Sequence, residues 1–242
     1  MCIRDSARLM APEDLLQLID RIRQGLMLSA ASMIPLGGLF IALSGPIVAL
    51  VYERGAFDAS AAQLVTGILM AYGLGMPAYL GRDVLVRVFY ALGDGTTPFR
   101  LSLAGIGLNV FFDWLLVGGP TPWGNQSPFN FGAPGLVLAT AAINLLTCLA
   151  LLLVLQQRIS GLPLRRWGMD LLRLAIAGVL AAGGAGILVT IVPWSEGLGG
   201  LLLQVSAPGL LGLALFALIG AQFQVPEVRE VTQLVVGRFR AR

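Results

Sequence analysis

Histidine and lysine are both absent from the 242 residues, and cysteine occurs only as Cys2 and Cys148. Without histidine, and with its two cysteines far apart, the chain offers no zinc set, no disulfide framework and no Cys/His dyad, so no metal or cofactor is expected. Charge is scarce as well: 12% of residues are charged against 57% hydrophobic, and mean hydropathy is +0.83. One soluble core of this length could not hide that much apolar surface. The net charge of +3 would suit a nucleic-acid partner in a soluble domain, but here the arginines flank apolar segments and follow membrane topology, so no nucleic acid is expected.

What is present is a series of charge-free apolar runs, each near the roughly 20 residues that a hydrocarbon core of about 30 Å requires. They lack the alternation of barrel strands, which makes the fold class all-α, a polytopic transmembrane helix bundle with six predicted spans. Residues 1–25 read as a cytoplasmic or interfacial lead-in, in which Leu15, Leu18, Ile19 and Ile22 recur at helical spacing against charged neighbours. The opening MCIRDS resembles translated adaptor joined to a partial gene, so the chain reads as a C-terminal fragment. Residues 26–155 hold four spans: Leu26 to Tyr52, Ala61 to Leu92, Phe99 to Val117 and Gly135 to Leu155. In the first, Pro35 and Pro46 predict kinks. The second measures about 48 Å as one helix, so it either projects into the cytoplasm or breaks near Gly73, Gly75, Pro77 and Gly81. A loop at 156–170, two terminal spans within 171–223 and an amphipathic basic tail at 224–242 complete the chain. Fifteen of the sixteen arginines flank one side of this arrangement and only Arg54 the other, which predicts that both ends are cytoplasmic.

Three constellations stand out inside the apolar runs. Arg82, Asp83 and Arg87 lie near one end of the second span; Asp83 and Arg87 are spaced to pair, while Arg82 points elsewhere. They are either snorkelling interfacial charges or part of a substrate path, with Arg87 placed in the bundle and Arg158 in a loop. The third span carries a polar stripe of Ser102, Gly105, Asn109 and Asp113, and the fourth one of Thr140, Asn144, Thr147 and Cys148. These stripes either hydrogen-bond between helices or line a cavity. Gly178, Ala182 and Gly186 form a small-residue face suited to helix packing or to a groove for a lipid chain. The GDG at Gly93–Gly95 reads as a turn, with Asp94 and the threonines that follow as capping residues.

Two stretches in order carry a family likeness: SGPIVALVYERGAFD, Ser44 to Asp58, and YGLGMPAYLGRDVLVRVFYALGDGTTPF, Tyr72 to Phe99. Together they resemble the MurJ/MviN family of lipid II flippases in the MOP exporter superfamily. The resemblance implies the last six of fourteen helices in a two-lobed transporter of the bacterial inner membrane. It further implies movement of a polyprenyl-pyrophosphate-linked peptidoglycan precursor between leaflets by alternating access, and not an enzyme. The partners it implies are lipid II or a similar precursor, membrane lipids and the missing N-terminal helices. Relatives often carry a lysine near the position of Asp83, so Arg82 or Arg87 would supply the cationic charge here. The substrate-path candidates are Arg82, Asp83, Arg87, Asn109, Asp113 and Asn144; the lipid-groove candidates are Gly178, Ala182 and Gly186. Alternatives are another exporter of the superfamily, such as a drug/cation antiporter or a polysaccharide-lipid flippase, and a non-transporting membrane scaffold. A glycosyl- or phosphotransferase acting on polyprenyl phosphate would need paired acidic residues or a histidine in a loop, which the loops do not offer.

Overall fold

The computed structural model describes residues 12–52, 58–118, 129–159, 161–195 and 197–223. The MCIRDS opening, the Glu53–Phe57 half of the family signature with Arg54, the loop at 119–128 and the tail at 224–242 lie outside them. Seven helices follow one another among the described residues: α1 (Pro12–Ala42), α2 (Ser44–Tyr52), α3 (Ala59–Ala91), α4 (Thr96–Val117), α5 (Ala133–Arg158), α6 (Leu164–Ile191) and α7 (Leu198–Gln222). All but the short α2 are long and apolar enough to cross a membrane, and the chain is a multi-pass membrane protein.

The helices pack as a succession, α4 on α5, α5 on α3, α3 on α1, α1 on α6 and α6 on α7, while α2 turns back to touch α3 and α7. α1 is thus the shared wall between the α3–α5 group and the terminal pair. Its crossing with α3 is a backbone contact. A Cβ on Gly73 would fall 2.6 Å from the Gly37 carbonyl oxygen, and one on Gly37 would strike the Gly73 carbonyl. That second carbonyl is the one Pro77 leaves without its usual donor four residues on. Only glycine lets the two helices approach this closely.

Four sequence expectations meet the folded chain. The lead-in is no separate interfacial element, because α1 runs unbroken from Pro12 through the expected first span. Its stripe of Ile19, Ile22 and Leu26 is buried in the same core as Leu85 and Phe89 of α3, Leu151 and Leu155 of α5 and Trp167 and Leu174 of α6. A stripe that periodicity alone would lay on lipid has found protein instead. Its charged side is used too, since Arg23 Nη2 lies 3.1 Å from Asp170 Oδ2 on α6. Second, the long α3 neither breaks at its glycines nor at Pro77, and at 33 residues it extends about 50 Å. Third, the chain does break after Ala42, where Pro46 cannot donate to the Ala42 carbonyl; Leu43 is a turn, and Ser44 Oγ donates to Ile41 O at 3.0 Å. The connection expected at 156–170 shortens to the few residues between Arg158 and Leu164, both flanks being helical.

Candidate functional site

Arg82 sits on the side of α3 that faces α4 and α5. Its Nη2 donates to Ser102 Oγ of α4 at 3.2 Å and its Nη1 to Asn144 Oδ1 of α5 at 3.5 Å. One guanidinium therefore joins three helices. Asn144 and its neighbour Thr147 are buried, and the α4 backbone comes close at Gly105, whose Cβ would lie 3.2 Å from Ile143 Cγ2 and 3.6 Å from Thr147 Oγ1. The two polar stripes thus meet each other over part of their length, as interhelical hydrogen bonding requires. Arg82 joins them there.

Among the described residues no carboxylate pairs with Arg82. Its two acceptors are neutral, so no carboxylate among the described residues offsets its charge. A cavity of about 550 Å³ lies between α3 and α5, walled by Tyr72, Met76, Tyr79 and Leu80 on one side and by Thr140 and Asn144 on the other. Asn144 belongs to both: it lines the cavity and accepts from Arg82.

The remaining candidates do not join this cluster. Asp83 and Arg87 pair with each other at 2.9 Å, as their spacing predicts, and the Arg87 side chain is 79% exposed. The structure does not place Arg87 inside this bundle. Asn109 Nδ2 donates to Asp113 Oδ2 at 2.8 Å on the same helix, and Asp113 Oδ1 is buried without a partner among the described residues. Eleven residues, or about 16 Å along the helix, separate Asp113 from Ser102. The small face of α6 is filled rather than open. Gly178 meets the Ile34 side chain of α1, and a Cβ on Gly38 would lie 3.1 Å from Ala182 Cβ, while Gly186 faces Ala42. The groove expectation at Gly178 and Ala182 is corrected, because α1 occupies that space; their smallness serves helix packing.

The capping cluster that the sequence predicts at the α3–α4 turn gains a partner from α5 that the sequence did not reveal. Asp94 is only 8% exposed and accepts from the Thr96 and Thr97 amides at 3.0 Å each and from both threonine hydroxyls. It is the capping residue that the sequence predicts for α4. Arg158, expected in a loop, ends α5 and pairs with the same carboxylate, donates to Thr97 Oγ1 at 2.8 Å and lies 5.6 Å from the centre of the Phe89 ring. Burial alone would raise the Asp94 carboxyl, but the hydrogen bonds from Thr97, Thr96 and Arg158 outweigh it and hold the group well below the ordinary carboxylate range.

Comparison with known proteins shows the family of the chain. A family described as "Lipid II flippase MurJ" matches residues 5–207. A probable lipid II flippase MurJ from Synechocystis is 45% identical over 92% of this chain and 40% of its own length. A lipid II flippase MurJ from Thermosipho africanus is 30% identical over 55% of this chain and 25% of its own. Among solved structures, a lipid II flippase MurJ in an inward closed conformation superposes with a TM-score of 0.59 at 21% identity, over 91% of this chain and 41% of that one, and so shares the fold. The chain therefore spans about two fifths of the length of the Synechocystis relative. With the family match covering most of its residues, this chain belongs to the lipid II flippase MurJ family.

Proposed function

We propose that this chain forms part of a flippase that carries a lipid-linked peptidoglycan precursor from the inner to the outer leaflet of the bacterial cytoplasmic membrane. The observation that carries the reading is Arg82, unpaired with any carboxylate among the described residues and held by Ser102 and by Asn144, which also lines the α3–α5 cavity. A pyrophosphate group is a compact, multiply charged anion. It gains most from a guanidinium that is already oriented, desolvated on its apolar sides and free of a competing carboxylate. Neutral oxygen partners orient Arg82 without cancelling its charge. The aromatic and aliphatic wall of Tyr72, Met76 and Tyr79 suits the less polar portion of such a molecule.

Alternating access requires the wall of the path to move as rigid pieces. The break at Leu43 and the prolines inside α1 and α3 are the points where such pieces can bend. The excess of arginine in the loops on one side supports a cytoplasmic position for both ends of this chain. Asn109 and Asp113 would then line the same path further from the cytoplasm, their polar faces kept away from lipid.

The test is complementation. A hybrid that joins the N-terminal part of the Synechocystis relative to this chain is expressed in cells depleted of their own lipid II flippase. Growth with this chain's Arg82 and loss of growth with Arg82→Ala, at equal amounts in the membrane, is the expected result. Full growth with Arg82→Ala would overturn the assigned role of this cavity.

A further inference from the structure

The first turns of α6 carry three arginines that the path described above does not use. Arg165, Arg166 and Arg173 surround, with Met169 and Asp170, a shallow depression of about 470 Å³. Its one carboxylate is already engaged: Asp170 Oδ2 lies 3.1 Å from Arg23 of α1, and Oδ1 lies 3.4 Å from Arg173. Arg165 and Arg166 are exposed and pair with no carboxylate among the described residues. The depression thus holds three guanidiniums against one carboxylate, which Arg173 shares with Arg23, and it is strongly cationic.

The cluster does not stand alone. Arg166, Met169, Arg173, Ile176 and Leu180 recur at steps of three and four residues and so occupy one face of α6. Below the arginines that face is apolar and uncovered, Ile176 being 43% and Leu180 54% exposed. Cationic side chains at the end of a membrane span, above an apolar stripe that continues toward its middle, match an amphiphile with an anionic head and a hydrocarbon chain. A free phosphate would have no use for the stripe. The depression shares no lining residue with the α3–α5 cavity.

We propose that the Arg165–Arg166–Arg173 cluster binds the phosphate of an anionic membrane phospholipid, whose acyl chain lies along Ile176 and Leu180. This assignment is independent of the transport reading. The lipid would be held at the side of the terminal helix pair, where the Arg23–Asp170 contact couples its site to α1.

The experiment reconstitutes the chain in nanodiscs with equal phosphatidylglycerol and phosphatidylcholine and counts, by native mass spectrometry, the lipids retained after transfer to detergent. The chain should retain phosphatidylglycerol in preference. Arg165→Gln/Arg166→Gln/Arg173→Gln should lose about thirtyfold in that preference, and the corresponding lysine variant should keep most of it. Should the triple glutamine variant fail to fold by thermal unfolding, Arg166→Gln alone should still show a several-fold loss. Excess inorganic phosphate should not displace the lipid. Equal retention of both lipids, unchanged preference in the glutamine variants, or displacement by phosphate each overturns the proposal.

Discussion

Arg158, the last residue of α5, reaches the turn between α3 and α4 and pairs there with the buried carboxylate of Asp94. The contact links residues 64 apart in sequence and ties three helix ends together, with the Phe89 ring beneath the guanidinium. Every oxygen of Asp94 is used: Oδ1 accepts from both amides and the Thr96 hydroxyl, and Oδ2 accepts from the Thr97 hydroxyl and Arg158. Such a carboxylate stabilises the turn only while all its donors are present.

Removing either partner leaves a buried or half-buried charge short of hydrogen bonds. Asp94→Asn and Arg158→Gln should each lower stability by about 1–3 kcal/mol. The double variant should cost clearly less than their sum, because the second change has no pair left to break. Thermal unfolding in detergent measures the cycle, and simple additivity would show that the pair is not coupled.

The same contact sets an acid dependence. The folded-state carboxyl of Asp94 titrates well below its unfolded value, so its contribution is complete above the unfolded pKa and is lost as pH falls through the folded one. Stability measured from neutral pH downward should therefore decline below about pH 4 with an Asp94-dependent component. Asp94→Asn should lack that component. An identical pH profile for the two proteins would refute it.

Arg82 and Arg87 differ in their surroundings although both stand near one end of α3. Arg82 is held by two other helices, whereas Arg87 pairs within α3 and its side chain is largely exposed. In the complementation hybrid, Arg82→Ala should therefore reduce lipid II translocation about tenfold or more, at about 1.4 kcal/mol per decade, and Arg87→Ala less. Arg82→Lys should fall between, since an ammonium cannot reproduce the fork that reaches Ser102 and Asn144 together. Equal effects of the two alanine substitutions, read as labelled precursor reaching the outer leaflet, would remove the distinction.

The glycine crossing of α1 and α3 offers a steric test. Gly73→Ala puts a Cβ against the Gly37 carbonyl and should destabilise by about 1–3 kcal/mol. Gly107→Ala on α4 meets nothing within 4 Å and should be neutral or stabilising by up to about 1 kcal/mol. Melting temperatures of the two variants should part accordingly.

Orientation is checked by labelling. In a variant with Cys2 and Cys148 replaced by serine, a cysteine at Ser195 should react with an impermeant maleimide added to intact cells, and one at Tyr90 should react only after lysis. The opposite pattern would invert the topology.

The class of the protein was legible in composition alone. Unbroken apolar runs near the length of a bilayer leave a helix bundle as the only economical solution, because every backbone polar group must be satisfied within its own segment. Local chemistry was legible too: Asp94 with the two following threonines announced a helix start, and Asp83 with Arg87 announced a pair one turn apart. These features depend on residues within a few positions of one another. The folded chain alone decided which residues meet across helices. Periodicity shows that Ser102 and Asn144 lie on polar faces but not that Arg82 stands between them, and nothing near Arg158 in sequence points to Asp94. The small face of α6 could equally have opened a groove, until Ile34 and Gly38 of α1 filled it. Helix rotation and partner choice come from packing summed over whole faces, and that sum is a property of the tertiary structure, not of any window of sequence.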